Sequence, residues 1–326
     1  MAELLLVEAV RAALAQALEE DGDVVILGED VGTDGGVFRA TDGLWQRFGS
    51  ERVRDTPLSE AAIAGIAVGL AAQGMRPVAE IQFQGFIHPA LDQIANHAAR
   101  LRNRTRGRLT CPMVLRAPYG GGVHAPEHHS ESIEAIFAHI PGLRVVIPSS
   151  PARAYGLLLA AIRDPDPVVF FEPKRLYRAM REEVAPDGGA LPLDQAFTLR
   201  EGRDVTLVSW GAAARDCLEA AETLAGEGVE AELIDLATLK PYDADAVLES
   251  VRRTGRCVIV HEAPRTGGFG AEIAARIAEE ALEALVAPIR RVTAPDTIPP
   301  LPRLEAAYMP SAGMVVSAVR EVMAWA

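Results

Sequence analysis

The 326-residue sequence predicts an α/β protein of two domains, each with a mainly parallel sheet flanked by helices. Short runs rich in valine and isoleucine alternate with stretches of helical length along nearly the whole chain. The runs are apolar on both faces, as expected for strands of a buried parallel sheet. An aperiodic stretch rich in proline, glycine and aspartate, Glu182–Pro192, indicates a linker between two such blocks. We therefore predict domains at 1–186 and 187–326.

The first block alternates strands with helices. The apolar runs predict strands at Val24–Leu27, Pro77–Phe83, Met113–Arg116, Arg144–Ile147 and Val168–Glu172. The stretches between and before them predict helices at Glu3–Glu19, Ser59–Gln73, Phe86–Arg104, Glu131–His139 and Pro151–Arg163.

The same alternation restarts after the linker. The predicted strands are Asp204–Ser209, Glu230–Leu236, Arg256–His261 and Ile289–Thr293. The predicted helices are Ala212–Glu227, Ala244–Arg252, Ala271–Glu283 and Ser311–Trp325.

The helix predicted at Ser59–Gln73 is small and apolar nearly all round, so we expect it to be deeply packed. Gly65 and Gly69, four positions apart, would let another helix approach closely on one face. Ser59 is a candidate N-cap, and Glu60 falls in the first turn, where the helix dipole favours a carboxylate. From its position alone, Glu60 is best explained as one of the acidic residues that commonly occur in the first turn of a helix. Burial of the helix start would instead make it a paired or protonated carboxylate.

Composition argues against several function classes. The formal net charge of −13 disfavours nucleic acid as the main partner, because phosphate binding needs a basic surface. The longest apolar stretch, Ala61–Ala72, is too short to span a bilayer, and the N-terminal segment lacks the basic leader of a signal peptide. Cys111, Cys217 and Cys257 are odd in number and widely spaced, which favours neither a disulfide framework nor a metal site. We expect a cytoplasmic protein without a membrane or nucleic-acid partner.

Two standard nucleotide-binding motifs are absent from the sequence. There is no GxxxxGK[ST] phosphate loop, and the glycines at 267–270 have the wrong spacing for GxGxxG. A simple ATPase or a dinucleotide dehydrogenase therefore has no support.

A glycine-rich segment, Tyr119–Ser130, holds three of the seven histidines and follows a predicted strand. Because histidine titrates near neutrality, one hypothesis is a mobile loop in which one histidine performs acid–base chemistry. A solvated polar loop is about equally well supported by the spacing alone. A zinc site through His124 and His128 is less favoured, because no third ligand is local.

These segments together resemble a known family. The ordered set DTPLSE, RPVAEIQFQGF, DQIANHAA, PGLRVVIPSSP, AIRDPDPVVFFEP, DVTLVSWG and HEAPRTGGFGAEI is similar to the beta subunit of thiamine-dependent 2-oxo acid dehydrogenases. Within that family, GGVFRAT, AEIQF, FFEPKRLYRA and EAPRTGGF look closest to the branched-chain enzyme. The resemblance spans essentially the whole chain. It implies a pyrimidine-binding transketolase-like domain at 1–186 and a transketolase C-terminal domain at 187–326.

In this family thiamine diphosphate lies between two subunits, and the resemblance implies that this chain supplies the aminopyrimidine half. Glu60 matches the carboxylate that bonds the aminopyrimidine ring, a task that suits a buried carboxylate with a raised pKa. The other matched cofactor-binding positions are Glu29, Leu58, Gln82 and Phe86. The alpha subunit would hold the diphosphate and magnesium with a GDG…N motif, which this chain lacks.

The resemblance also assigns a histidine and a structural cation. His129 matches the active-site loop histidine, placed to give a proton to the sulfur that leaves a lipoyl disulfide. A potassium ion is implied at Met113, Ala161, Ile162, Asp164 and Asp166, mostly through backbone oxygens. Asp166 and its neighbour Pro165 differ from common family residues.

The expected function is oxidative decarboxylation of branched-chain 2-oxo acids with reductive acylation of a lipoyl group. The expected partners are an alpha subunit, in a heterotetramer of two alpha and two beta chains, and a lipoyl acyltransferase core. One alternative is the same role with pyruvate or acetoin as substrate. An alternative of another class is a non-catalytic α/β scaffold subunit, against which the intact Glu60 and His129 speak.

Overall fold

A computed structural model of the chain describes residues 2–185 and 189–325. These residues form two compact units. The first consists of the chain up to Tyr119 together with Ile136–Leu193, and the second of Gly120–Ala135 together with the chain from Asp194 onward. The predicted boundary between 186 and 187 lies at residues 186–188, outside the described residues, and stays a prediction.

The first unit carries eight strands. They are β1 (Ala2–Leu5), β2 (Val24–Gly28), β3 (Val53–Asp55), β4 (Arg76–Glu80), β5 (Val114–Tyr119), β6 (Arg144–Val146), β7 (Val168–Pro173) and β8 (Arg181–Val184). The α-helices that precede Leu193 in the chain are α1 (Leu6–Glu20), α2 (Leu44–Phe48), α3 (Glu60–Ala72), α4 (Leu101–Arg104), α5 (Glu134–Ala138) and α6 (Pro151–Arg163).

Six strands of the first unit run parallel to one another in the order β6-β7-β5-β4-β2-β3. β2 is wholly buried, and its two neighbours in the sheet are β3 and β4, the next two strands along the chain. The strands that follow β2 in the chain therefore lie on both sides of it, so β2 is the point at which the strand order reverses. The carboxyl end of such a strand is where open α/β sheets bind ligands.

The second unit has a five-stranded sheet. The strands after Leu193 are β9 (Phe197–Arg200), β10 (Val205–Ser209), β11 (Ala231–Asp235), β12 (Thr238–Lys240), β13 (Cys257–Pro264) and β14 (Arg290–Ala294). The helices are α7 (Ala213–Ala225), α8 (Ala244–Thr254), α9 (Gly270–Glu280), α10 (Glu305–Tyr308) and α11 (Ala312–Met323). The sheet order is β14-β13-β10-β11-β9, with only β9 antiparallel to its neighbour among these described strands. The predicted class, parallel sheets flanked by helices, is confirmed.

Two predicted elements differ at the ends of the first unit. The helix predicted to begin at Glu3 begins at Leu6, because Ala2–Leu5 pair antiparallel with β8. The Glu8 carboxylate accepts the Leu5 N–H at 2.8 Å, which fixes the start of α1. The prediction of a linker from Glu182 onward is wrong for Glu182–Val184, which belong to β8. Pairing with a distant strand overrides local sequence preference here.

The single helix predicted at Phe86–Arg104 is also wrong. The segment forms 3₁₀ turns at Gln84–Phe86, His88–Ala90 and Ala98–Arg100, a wide π turn at Gln93–His97, and then the short α4. Pro89 has no N–H to donate to the Gly85 carbonyl oxygen, so a helix that began at Phe86 could not run regularly through it. Among the described residues, no helix combines the length and apolarity that crossing a membrane requires.

Candidate functional site

The carboxyl ends of β3, β2 and β4 lie side by side at one edge of the first sheet. Gly28 at the end of β2 is in register with Asp55 of β3 and with Glu80 of β4. The chain segments that leave these three strands carry the five residues matched to cofactor binding, which are Glu29, Leu58, Glu60, Gln82 and Phe86. The structure therefore brings together at one edge residues that are up to 57 positions apart in the chain.

The loop after β2 is held in place by β3. The Asp55 carboxylate accepts the N–H of Gly32 at 2.6 Å and both the N–H and the hydroxyl of Thr33 at 3.2 Å. Gly28 is required where β2 ends, because a Cβ there would lie 2.8 Å from the Glu80 carbonyl oxygen. Sequence reasoning missed the role of Asp55, although its position directly before TPLSE was a usable signal.

Glu29 is buried at the centre of this edge, with 7% of its surface exposed. Its Oε1 has no hydrogen-bond partner among the described residues. Burial raises the pKa of the Glu29 carboxyl, and the negative charges of Glu60, Asp30 and Glu80 raise it further. Glu29 is thus a carboxyl group that tends to keep its proton and has a free oxygen to offer a ligand.

Glu60 is the first residue of α3, so its carboxylate lies at the positive end of the helix dipole. Ser59 occupies the N-cap position, but its side chain makes no capping hydrogen bond. In the single chain the helix start is not fully buried, because Ser59 and Glu60 are half-buried. α3 packs only one face inward, and Ile66 on the opposite face is 48% exposed. The expected deep packing of α3 is therefore not present within this chain.

The segment after β4 supplies an amide and an aromatic ring. Gln82 donates from Nε2 to the Asp30 carboxylate at 3.3 Å. Phe86 is 37% exposed and stands edge-on to Phe83, with ring centroids 6.1 Å apart. Leu58, in the segment before α3, is 81% exposed. Leu58 and Phe86 therefore expose apolar side chains on two of the segments that leave this edge of the sheet.

His129 belongs to the second unit, within the segment Gly120–Ala135. It ends a 3₁₀ turn, Glu127–His129, and its ring centroid lies 4.0 Å from that of His128. The turn is held from within, because the Ser130 hydroxyl donates to the carbonyl oxygens of Ala125 and Pro126 at 3.3 and 3.2 Å. Both imidazoles are half-buried. In the described part of the chain, no group of three or more His, Cys, Asp or Glu side chains is arranged to hold a metal ion.

The five residues matched to a potassium site lie at the opposite edge of the first sheet, near the amino ends of β5 and β7: Met113, Ala161, Ile162, Asp164 and Asp166. Arg76 donates to the carbonyl oxygens of Ile162 at 3.0 Å and Asp164 at 3.4 Å. A carbonyl oxygen has two lone pairs, so each retains a second acceptor position. Backbone and carboxylate oxygens would suit a hard cation. The carboxylates of Asp164 and Asp166 already pair with Arg144 and Arg102, at 2.9 and 2.7 Å.

A buried ion-pair network between β4, β5 and β7 escaped sequence reasoning. Arg116 donates to the carboxylates of Glu172, at 2.6 and 3.0 Å, and Glu80, at 2.8 Å, and Tyr177 donates to Glu172 at 2.7 Å. Burial raises the pKa of Glu80 despite the opposing charge of Arg116. When ionised, Glu80 is one of the neighbouring carboxylates that raise the pKa of Glu29.

This edge of the sheet places a buried carboxyl group with a raised pKa near a second carboxyl group. One carboxyl group, Glu29, is biased towards its protonated form, and a second, Glu60, is half-buried at a helix N-terminus. Pairs of carboxyl groups in different environments are the usual basis of acid–base function at neutral pH.

Comparisons with known proteins agree with this architecture. Residues 3–180 match the family model for the transketolase pyrimidine-binding domain, and residues 194–315 match that for the transketolase C-terminal domain. The chain is similar to the pyruvate dehydrogenase E1 component subunit beta of Acholeplasma laidlawii, with 47% identity covering 99% of this chain and 98% of the relative. It is 47% identical to the 2-oxoisovalerate dehydrogenase subunit beta of Bacillus subtilis, covering 99% of each chain.

Solved structures agree as well. A split-gene transketolase, described as an inactive beta4 tetramer, has a TM-score of 0.82 at 26% identity, with 99% of each chain covered. A transketolase variant from Pichia stipitis shares the fold, with a TM-score of 0.73 at 16% identity over 99% of this chain and 46% of that one. The chain belongs to the family of E1 beta subunits, in which a transketolase pyrimidine-binding domain precedes a transketolase C-terminal domain.

Proposed function

We propose that this chain is the beta subunit of a branched-chain 2-oxo acid dehydrogenase and supplies the aminopyrimidine half of a thiamine diphosphate site. The observation that carries the proposal is the placement of Glu29, Glu60, Gln82 and Phe86 together at the carboxyl ends of three adjacent parallel strands. When bound, thiamine diphosphate supplies a nucleophilic thiazolium carbon and an electron sink for decarboxylation.

The residues at this edge fit an aminopyrimidine. A buried Glu29 oxygen without a partner among the described residues offers a hydrogen bond that a ring nitrogen or amino group can complete. The exposed Phe86 ring offers an aromatic face for stacking, and the exposed Leu58 offers apolar contact. A polar heteroaromatic ring needs this combination of hydrogen-bonding groups and apolar surface.

The two carboxyl groups take different roles in the proposal. Glu60 would form a hydrogen bond with the pyrimidine ring nitrogen and hold a proton at that atom. Burial raises the pKa of the Glu29 carboxyl, so this group keeps its proton more readily and can donate a hydrogen bond to the aminopyrimidine. His129 gives a proton to the sulfur that leaves when a lipoyl disulfide is opened, a task suited to a group that titrates near neutrality.

A second subunit is needed to complete the site. The sequence has no GDG…N motif for magnesium and diphosphate, so we propose that an alpha subunit holds both. The exposed face of α3, defined by Ala62, Ile66 and Gly69, supports such a partner. These residues share one helix face, and a Cβ added at Gly69 would meet nothing within 4 Å. We propose that this face packs against the alpha subunit in a heterotetramer of two alpha and two beta chains.

The remaining partners follow from the same proposal. A lipoyl acyltransferase core would accept the acyl group, and a potassium ion would occupy the oxygen donors at Met113, Ala161, Ile162, Asp164 and Asp166 as a structural cation. A cytoplasmic location agrees with three cysteines that are free and buried, which are Cys111, Cys217 and Cys257.

Pyruvate is the second candidate substrate, because several relatives at 45–48% identity are named as pyruvate dehydrogenase subunits. Steady-state turnover of 3-methyl-2-oxobutanoate and pyruvate by the reconstituted tetramer separates the two. A higher kcat/KM for pyruvate would overturn the branched-chain assignment while leaving the subunit role intact.

The subunit role is tested by activity with and without the partner. The purified chain with thiamine diphosphate and magnesium should release no carbon dioxide from either 2-oxo acid, and adding a cognate alpha subunit that carries GDG…N should restore release. Activity of the chain alone contradicts the shared-site proposal. A stable complex with no activity towards 3-methyl-2-oxobutanoate, pyruvate or acetoin would instead favour the non-catalytic scaffold.

A further inference from the structure

Glu305, which lies late in the chain, binds backbone groups of the glycine-rich segment that carries His124, His128 and His129. Its carboxylate is buried and accepts the N–H of Gly122 at 2.8 Å and the N–H of His124 at 2.9 Å. The His124 imidazole adds an ion pair, with Nδ1 3.0 Å from Oε2. That imidazole is largely exposed, so the two backbone bonds carry most of the interaction.

The backbone that Glu305 holds has an uncommon conformation. Gly120 and Gly122 have φ of +80° and +82°, and His124 has φ of +57°. Glycine adopts such angles freely, whereas a histidine with a side chain at Cβ does so only at an energetic cost. The conformation at His124 therefore needs support from outside the segment. A carboxylate that accepts two N–H groups provides this support, because charge-assisted hydrogen bonds are stronger than neutral ones.

Other side chains approach the segment before and after residues 122–124. A Cβ at Gly120 would lie 2.5 Å from the Glu262 carboxylate, and one at Gly121 would lie 2.8 Å from the Met309 sulfur. At the other end, Trp210 donates from Nε1 to the buried Glu134 at 3.2 Å. Glu305 holds the part between these contacts, at residues 122–124.

A chain of short contacts links this part to His129. Ala125 follows His124 directly, and its carbonyl oxygen accepts the Ser130 hydroxyl. The Pro126 carbonyl oxygen accepts both that hydroxyl and the His129 N–H, the latter at 3.0 Å. These hydrogen bonds connect residues 122–124 to the turn that carries His129.

We propose that Glu305 is a positioning residue for His129. By fixing residues 122–124 it holds the 3₁₀ turn, and with it the imidazole, in the orientation needed for proton transfer. The proton-transfer part of this inference rests on the proposed function, whereas the structural part does not. Glu305 is itself well placed for this task, because Tyr308 and Met309, one turn later, are buried against Ala294.

The structural part is tested on the full-length chain by hydrogen exchange. Glu305→Gln replaces one acceptor oxygen with an NH₂ donor, so one of the two backbone bonds is lost. We expect the peptide covering 120–130 to exchange about tenfold faster, the effect of losing one hydrogen bond to a charged acceptor. Glu305→Asp keeps the carboxylate and should recover part of the protection. The matched control is Glu283→Gln, an exposed glutamate of the same unit, which should leave exchange unchanged.

The functional part is tested on the reconstituted tetramer. Glu305→Gln should lower kcat for transfer to the lipoyl group about tenfold. Carbon dioxide release to an artificial acceptor and KM for the 2-oxo acid should stay near those of the unaltered enzyme, and Glu305→Asp should rescue transfer in part. Equal losses in both assays would overturn the positioning role.

The structural role and the catalytic role of Glu305 can be contradicted independently. Unchanged exchange in Glu305→Gln overturns the structural part whatever the activity. Faster exchange in a tetramer that has no activity in any form supports the structural part and refutes the proposed function.

Discussion

Arg116 and Glu172 form a two-point ion pair inside the first sheet, with Nε 2.6 Å from Oε1 and Nη2 3.0 Å from Oε2. Both side chains are essentially inaccessible to solvent. Arg116 also binds Glu80, so a single guanidinium contacts two buried carboxyl groups. Burial raises the pKa of the Glu80 carboxyl, which favours its neutral form and reduces the unbalanced negative charge. The arrangement explains how β4, β5 and β7 tolerate three charged side chains within the sheet.

Replacing Arg116, the cation shared by Glu80 and Glu172, should lower the stability of the folded chain. Arg116→Met leaves Glu80 and Glu172 buried without a counter-ion, and we expect the free energy of unfolding to fall by about 3–5 kcal/mol. Urea denaturation followed by circular dichroism measures this. The control is Arg163→Met, which removes an exposed ion pair with Glu20 and should cost less than about 1 kcal/mol. Similar losses in the two variants would contradict the burial argument.

Glu29 should make stability depend on pH in an unusual direction. Because burial and neighbouring charges raise its pKa above the ordinary 4.5, the folded chain holds this proton more tightly than the unfolded chain. Its contribution to stability is therefore present below the ordinary value and is lost as the pH rises through the raised value. Glu29→Gln cannot titrate, so its free energy of unfolding relative to the unaltered chain should increase with pH across that interval.

Urea denaturation of both proteins at a series of pH values measures this difference. The control, Glu201→Gln, changes an exposed glutamate and should show no such trend. A difference that stays flat with pH, or that falls, would show that Glu29 does not hold its proton more tightly in the folded chain.

Glu60 should be needed for decarboxylation but not for assembly. Glu60→Gln preserves shape and hydrogen-bonding capacity but cannot exchange a proton, so we expect the rate of carbon dioxide release from the reconstituted tetramer to fall about 100- to 10,000-fold. Gel filtration should show an unchanged tetramer. Glu51→Gln, at an exposed glutamate of the same unit, should retain full activity. Near-normal turnover of Glu60→Gln would refute the proton-sharing role.

The exposed face of α3 should be required for binding the alpha subunit. Ile66→Asp places a charge on a half-exposed apolar position, which costs little in the isolated chain but would be buried in an interface. We expect the variant to remain folded and to elute without the alpha subunit in gel filtration. Leu282→Asp, at an exposed apolar residue of the second unit, is the control and should assemble normally. Normal assembly of Ile66→Asp would show that the partner binds elsewhere.

Local signals predicted much of the fold. The helix Pro151–Arg163 is confirmed to the residue, because Ser150 caps it and proline suits its first position. The predicted parallel sheet also implies that the segments leaving its strands at their carboxyl ends lie along one edge, although the strand β3 was not predicted. The matched residues Glu29, Glu60 and Gln82 do lie at this edge.

Features that depend on distant contacts could not be predicted. Nothing local indicates that Ala2–Leu5 would pair with Arg181–Val184 rather than continue α1. The bond between His124 and Glu305 joins residues 181 positions apart, and neither residue belongs to a motif that signals the other. The partners of a buried charge such as Arg116 could not be predicted either. The sequence shows an apolar strand interrupted by a cation, but it does not show which acids surround that cation.

His129 should matter for transfer to the lipoyl group more than for decarboxylation. His129→Ala removes the proposed proton donor to the leaving sulfur, so reductive acylation should fall about 100-fold or more, while carbon dioxide release to an artificial acceptor is largely retained. Single-turnover assays of the reconstituted tetramer with lipoamide and with the artificial acceptor measure the two steps. The adjacent His128, whose ring lies 4.0 Å from that of His129, offers a matched control, and His128→Ala should retain most of the transfer. Loss confined to His128→Ala would move the role to that residue, and equal losses in both assays for His129→Ala would contradict a proton-donor role in the transfer step.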